Sequence, residues 1–171
     1  MLAAAVILPG NIRTSWLKQI RDSKQLSLAK REFLFFHIQQ KAIAIGIGLA
    51  GRELIDARGI IEATQLAMKL AIDQLSPPAE TILIDYMHLP EVELPQKGLV
   101  KGDSRCFSIA CASIIAKVTR DRLMTELDRV YPGYELAHHK GYGTRGHLDC
   151  LRKLGPSSIH RQSFKPVKDM M

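Results

Sequence analysis

Lys101-Gly102-Asp103-Ser104-Arg105, running into Ser108-Ile109-Ala110-Cys111-Ala112-Ser113-Ile114-Ile115-Ala116-Lys117-Val118-Thr119-Arg120-Asp121, decides how this chain reads. It sets a carboxylate, Asp103, among basic residues at the head of a long helix-like segment. Upstream, the apolar run Thr81-Ile82-Leu83-Ile84 ends in a second carboxylate, Asp85. A buried strand that carries an Asp to its tip, followed by an Asp that opens a helix, suits metal-ion chemistry on phosphate. Carboxylate oxygens bind hard cations such as Mg2+ or Mn2+, and two ions about 4 Å apart can activate water and stabilise a leaving oxygen. Each residue also has a plainer reading. Asp is a routine turn former after strands, and Asp103 suits the positive end of a helix.

Working outward, Leu2 to Leu8 reads as a short buried strand closed by Pro9-Gly10. Ser27 through Gln40 reads as a helix with Ser27 as its N-cap. Ala42 to Gly48 alternates small and branched residues, as a strand does. Ile60 to Leu75 is helical, with Ile60, Ala63, Ala67, Leu70 and Ala71 on one stripe, and Pro77-Pro78 stops it. Thr81 to Asp85 and Gly98 to Val100 are further strands. Ile109 to Tyr131 is a long helix ended by Pro132-Gly133, and Gly146 to Leu154 a last one ended by Gly155-Pro156. Strands mixed with helices, without repeats or a linker, give one α/β domain over residues 1–171.

The net charge of +7 is unevenly placed. Residues 1–96 hold 10 Lys+Arg and 10 Asp+Glu; residues 97–171 hold 14 and 7, so the second part carries the whole surplus. Such asymmetry points to a polyanion partner, or else to a solvated basic face. Cys106, Cys111 and Cys150 are an odd number without CxxC spacing, which argues against a disulfide framework and a structural zinc site. No apolar run reaches the roughly 18 residues of a spanning helix. Met1 to Leu8 lacks the basic start and cleavage site of a secretory leader. A cytoplasmic protein without membrane partners is expected.

His138-His139-Lys140-Gly141-Tyr142-Gly143-Thr144 packs His, Lys and Tyr into a glycine-rich loop. Tyr142 is placed either to meet a sugar or base, stacking or donating to a 2′-hydroxyl, or simply to pack a surface turn. Asp22-Ser23-Lys24 is a helix entry, with Lys24 either a phosphate-reaching cation or an ordinary surface residue. P-loop spacing and a GxSxG elbow are absent.

Together these pieces resemble bacterial ribonuclease HII, the type 2 ribonuclease H. The matching stretches are Asp22-Ser23-Lys24 with Leu26-Ser27 and Arg31, Ile84-Asp85, Lys101 to Arg105, Ala112 to Asp121, His139 to Thr144, and His160-Arg161 with Ser163-Phe164 and Pro166-Val167. They follow the family's order across nearly the whole chain. The resemblance implies a ribonuclease H-like α/β fold, a mixed sheet flanked by helices. It implies an endonuclease for the RNA strand of RNA–DNA hybrids and for ribonucleotides embedded in a DNA duplex, dependent on Mn2+ or Mg2+. Asp85 and Asp103 then stand as catalytic residues and as two of four acidic metal ligands. Tyr142 stands as the sensor of the ribose 2′-hydroxyl, and Lys24, Lys101 and Lys140 as phosphate contacts. A monomer is expected.

The chain also departs from that family. The family opens on a strand bearing Asp-Glu-x-Gly-Arg-Gly, and no Asp-Glu pair occurs anywhere in this sequence. The expectation is an N-terminally truncated domain without its first, central strand. Its flanking strands would lack shared hydrogen bonds, at about 1–3 kcal/mol for each unpaired buried group. Native stability is only about 5–15 kcal/mol, so low stability and little activity are expected. The alternative is a non-catalytic remnant that binds hybrids.

Overall fold

Small residues fix how the first strands form. In the computed structural model, which describes residues 1–20 and 26–171, strand β1 (Leu2–Ile7) pairs antiparallel with β2 (Ala44–Leu49). Leu2 lies opposite Leu49 and Ile7 opposite Ala44. Between the strands runs helix α1 (Leu28–Lys41), whose N-cap Ser27 accepts from the Lys30 backbone N–H, as expected. Lys24 and the Asp22-Ser23 entry lie outside the described residues.

Helix α2 (Arg52–Asp73) is broken at Gly59, whose φ of 85° leaves the helical region. Its later part packs on β2 at very close range. A Cβ on Gly46 would stand 1.9 Å from the Ala71 carbonyl oxygen, and one on Gly48 equally close to that of Ala67. The glycines of β2 thus let a helix backbone lie against a strand backbone. Ala63, Ala67 and Ala71 of the expected stripe are fully buried. Ile60 is not: it is 43% exposed, directly after the break, where the helix restarts.

Strand β3 (Ile82–Asp85) pairs in parallel with β4 (Gln96–Leu99). The Gln96 side chain clasps their connection, accepting from the Leu89 N–H and donating to the Leu89 and Val92 carbonyls. One-turn helix α3 (Gly102–Arg105) follows, then the long α4 (Phe107–Val130). Short α5 (Leu136–His139), α6 (Arg145–Leu154) and short α7 (Lys165–Lys168) complete the chain.

Contacts gather into two compact units, residues 1–50 with 64–118 and residues 51–63 with 119–171. In the first, Trp16, Leu34 and Ile38 pack with Cys111, Ile114, Ile115 and Val118 of α4. A second cluster, Ile82, Ile84 and Leu89, sits under β3 with Met68 and Ile72. In the second unit, Tyr134, Leu136, Leu151 and Val167 form the core.

The first unit contains two strand pairs rather than one continuous sheet. A cavity of about 460 Å³ lies against β1 and β3 and is lined by every residue from Leu2 to Leu8 and from Thr81 to Asp85. Successive strand side chains point to opposite faces. Only a space alongside a strand's edge can therefore touch all of them. Met1 and Ala50 exchange both backbone hydrogen bonds. By antiparallel alternation the backbone groups of Leu2, Ala4 and Val6 turn away from β2, toward the cavity. Ile82 and Tyr86 donate toward β4, so Leu83 turns its own groups the other way. Thr64, Met68 and Ile72, four apart on α2, form one wall; Ile109, Ala112, Ser113 and Ala116 of α4 form another. The expected break in the sheet ladder is present among the described residues.

Candidate active site

Asp85 and Asp103 both line this cavity. Strand β3 brings Asp85 to its tip, and the backbone turns sharply there: Tyr86 has φ 64°, Lys101 has φ 55°. The left-handed Lys101 swings the start of α3 back onto β3, and the Gly102 N–H donates to Asp85 Oδ1 at 2.8 Å. Glycine suits this close approach. A Cβ on Gly102 would meet Ile109 Cδ1 at 2.7 Å and Asp85 Oδ1 at 3.3 Å. Asp103, one residue on, is half-buried and near the Ser104 hydroxyl, 3.4 Å away. One Asp85 oxygen is thus oriented by a backbone donor while its carboxyl remains exposed.

The donor set is two carboxylates, hard oxygen ligands that suit Mg2+ or Mn2+. An ion of this class can be held by one or two carboxylates with water and substrate phosphate, so the two fit a single cation. Among the described residues, no group of three or more His, Cys, Asp or Glu is gathered tightly enough to hold a metal. Lys101 stands beside the pair, exposed to solvent.

The second unit holds the glycine-rich loop. Tyr142 is 51% exposed, with the Arg120 guanidinium 4.8 Å from its ring centroid. Arg120 Nη2 also donates to the Lys140 carbonyl at 2.8 Å. Lys140 Nζ donates to Thr125 Oγ1 at 2.8 Å, so this expected phosphate contact is engaged within the protein. Lys140 and Gly141 have φ of 52° and 75°, and a Cβ on Gly141 would press Met124 Cε at 3.1 Å. Thr144 caps α6 by accepting from the His147 N–H.

Behind the loop lie His139, His147 and His160, each under 9% exposed. The first two rings stack at 4.1 Å, and His147 Nε2 meets His160 Nε2 at 3.2 Å. Their convergence was not read from the sequence; three histidines in a short basic stretch were its only trace there.

Comparisons with known proteins place these features in context. The family profile described as Ribonuclease HII matches residues 1–167. A ribonuclease HII from Dehalococcoides mccartyi is 53% identical over 171 residues, covering 100% of this chain and 81% of that protein. One from Geobacillus kaustophilus is 50% identical, covering 100% of this chain and 64% of that protein. Among solved structures, ribonuclease H2 from Pyrococcus horikoshii is similar, with TM-score 0.69 at 22% identity, over 99% of this chain and 97% of that one. The RNase HII in the PCNA complex from Archaeoglobus fulgidus gives TM-score 0.70 at 20% identity, with 96% of each chain covered.

Proposed function

We infer that this chain, which belongs to the ribonuclease HII family, is an endonuclease that hydrolyses the RNA strand of RNA–DNA hybrids and ribonucleotides embedded in DNA. Asp85 and Asp103 would hold its divalent cation. The observation that carries the site assignment is the hydrogen bond from Gly102 to Asp85, which ties α3 to the tip of β3 with both carboxylates on one cavity. A bound cation of this kind activates water and polarises a phosphoryl oxygen.

The chain's own residues supply the rest. Gly102 keeps one Asp85 oxygen fixed, so the carboxylate is oriented before a ligand arrives. Lys101, exposed beside the pair, would meet a substrate phosphate. Tyr142 is about half exposed on a loop that Arg120 braces, as suits contact with a ribose 2′-hydroxyl. Mn2+ and Mg2+ both suit the oxygen donors; a Bst RNase HIII of similar fold is known in complex with Mn2+. The surplus charge of residues 97–171 would grip the duplex, with binding that weakens as salt rises.

Asp85→Asn tests the assignment. The amide can still accept from Gly102 while the charge is gone. Cleavage of a ribonucleotide-containing duplex in Mn2+ should fall by at least about a hundredfold, the scale of losing an essential electrostatic group. Unchanged cleavage removes Asp85 from the mechanism. The second reading, hybrid binding without turnover, draws on Asp85 and Asp103 being the only two carboxylates among the described residues that line this cavity. Binding and cleavage measured in parallel, with and without chelator, separate the two.

A further inference from the structure

The three buried histidines form a chain whose proton positions are dictated by their partners. His139 Nδ1 accepts from the Gly141 N–H at 3.1 Å, so its proton is on Nε2, which donates to the Tyr134 carbonyl at 2.6 Å. His160 Nδ1 accepts from the Ser157 N–H at 3.0 Å and lies 2.8 Å from the Ser157 hydroxyl. Its proton is therefore on Nε2 and is given to His147 Nε2. That leaves the His147 proton on Nδ1, which donates to the Tyr142 carbonyl at 3.0 Å. All six ring nitrogens are used, each ring is neutral, and each has a single compatible tautomer. Two of the bonds end on the glycine-rich loop itself, at Gly141 and Tyr142.

We propose that His147, backed by His160 and with His139 beside it, is a positioning residue for Tyr142: the neutral imidazole chain holds the loop backbone in the left-handed turn that presents the tyrosine. The proposal rests on the reading of Tyr142 as a substrate contact. Adding a proton to any ring sets donor against donor: His139 against Gly141, His147 against His160, or His160 against Ser157. Around the chain stand Tyr134 and Tyr142, Lys140 on the loop, Arg120 of α4, and Arg161 next to His160. Burial first, then Arg120, lowers the pKa of Arg161, while Asp56 raises it. Burial is also the main cause that holds His147 and His160 below the ordinary 6.5, with neighbouring histidines adding to it. A depressed histidine contributes stability that is present above about pH 6.5 and is lost as pH falls through the folded value. The loop should therefore loosen on acidification.

The test compares His147→Leu with His147→Asn, whose amide nitrogen can replace Nδ1 as donor to Tyr142. In the full chain at pH 7.5, amide exchange at Gly141 and Tyr142 should quicken about tenfold or more in the leucine variant, the equivalent of one net hydrogen bond. It should stay near wild type in the asparagine variant. With chelator present, the preference for a ribonucleotide-containing duplex over an all-DNA duplex should fall about tenfold in the leucine variant alone. Equal exchange in all three proteins, equal loosening in both variants, or an unchanged preference beside a loosened loop would each overturn the proposal. Should His147→Leu unfold its unit, the wild type decides. Exchange at Gly141 and Tyr142, corrected for intrinsic pH dependence, should accelerate as pH falls below 6.5, in step with His147 and His160 ring titration. No acceleration overturns the idea. Tyr142→Phe separates the underlying reading: if the duplex preference survives it, the role of Tyr142 falls while the exchange result stands.

Discussion

Gly102→Ala would strike the candidate site at the contact that organises it. The new methyl would sit 2.7 Å from Ile109 Cδ1, 3.3 Å from Asp85 Oδ1 and 3.4 Å from Asp85 Cα. Ile109 is buried, yet its Cδ1 ends a side chain and can turn aside. Asp85 Oδ1 has less freedom, because β3 is registered against β4 with Asp85 opposite Leu99. At 3.3 Å from the new methyl it must give by a few tenths of an ångström, which disturbs the 2.8 Å bond from Gly102 to the carboxylate. Overpacking of this kind costs about 1–3 kcal/mol. The helical preference of alanine over glycine returns up to about 1 kcal/mol. Taken at the middle of the overpacking range, the balance is a net loss of about 1 kcal/mol, read as a lower urea midpoint with an unchanged slope. The freed carboxylate should also bind Mn2+ several-fold more weakly in calorimetry, because it is no longer held ready. A midpoint at or above wild type, together with unchanged Mn2+ affinity, would refute the reasoning.

Two further perturbations probe the scaffold. Gly48→Ala drives a methyl to 1.9 Å from the Ala67 carbonyl oxygen and 2.7 Å from the Ala71 nitrogen, both backbone atoms that cannot step aside. It should cost about 3 kcal/mol or more, seen in urea unfolding, and a midpoint near wild type would contradict the close packing of β2 on α2. Asp56 accepts from the Gln162 N–H, the Ser163 N–H and the Ser163 hydroxyl. Burial raises its pKa, but these bonds and Arg52 together bring it below 3.8. Its contribution is thus complete above about pH 4 and is lost as pH falls through the depressed value. Asp56→Ala should speed amide exchange at Ser163 near neutral pH and flatten the acid limb of the stability curve; an unaltered acid limb would discount the carboxylate.

Much of this architecture was legible because periodicity and punctuation are local. The Ser27 cap, the long α4 and the strand ending in Asp85 all sit where spacing, caps and breakers place them. Local signals failed where a contact between distant segments decides. The alternating Gly46 and Gly48 announced a strand, but not that a helix backbone lies on it. Ile60 fitted the buried stripe by spacing alone, and the break at Gly59 left it exposed. Residues 102–105, 136–139 and 165–168 are helices of one turn, too short for any period to register. At the site, Asp85 and Asp103 were legible as a strand tip and a helix start. The Gly102 hydrogen bond that joins them was not, since it depends on the left-handed Lys101. The histidine chain was least visible, because only the folded loop brings its three rings together.

The paired edges beside the cavity carry a consequence for the chain in concentrated solution. An unpaired strand edge offers amides and carbonyls to any extended segment, whatever its side chains. Leu2, Ala4, Val6 and Leu83 present such groups, framed by a mostly uncharged lining. What keeps molecules apart is then the net charge of +7, a long-range repulsion. At 0.1 M ionic strength that repulsion reaches only about 10 Å, and at 1 M about 3 Å. Colloidal stability and backbone chemistry are therefore opposed here: salt that quiets the charge leaves the edges as adhesive as before.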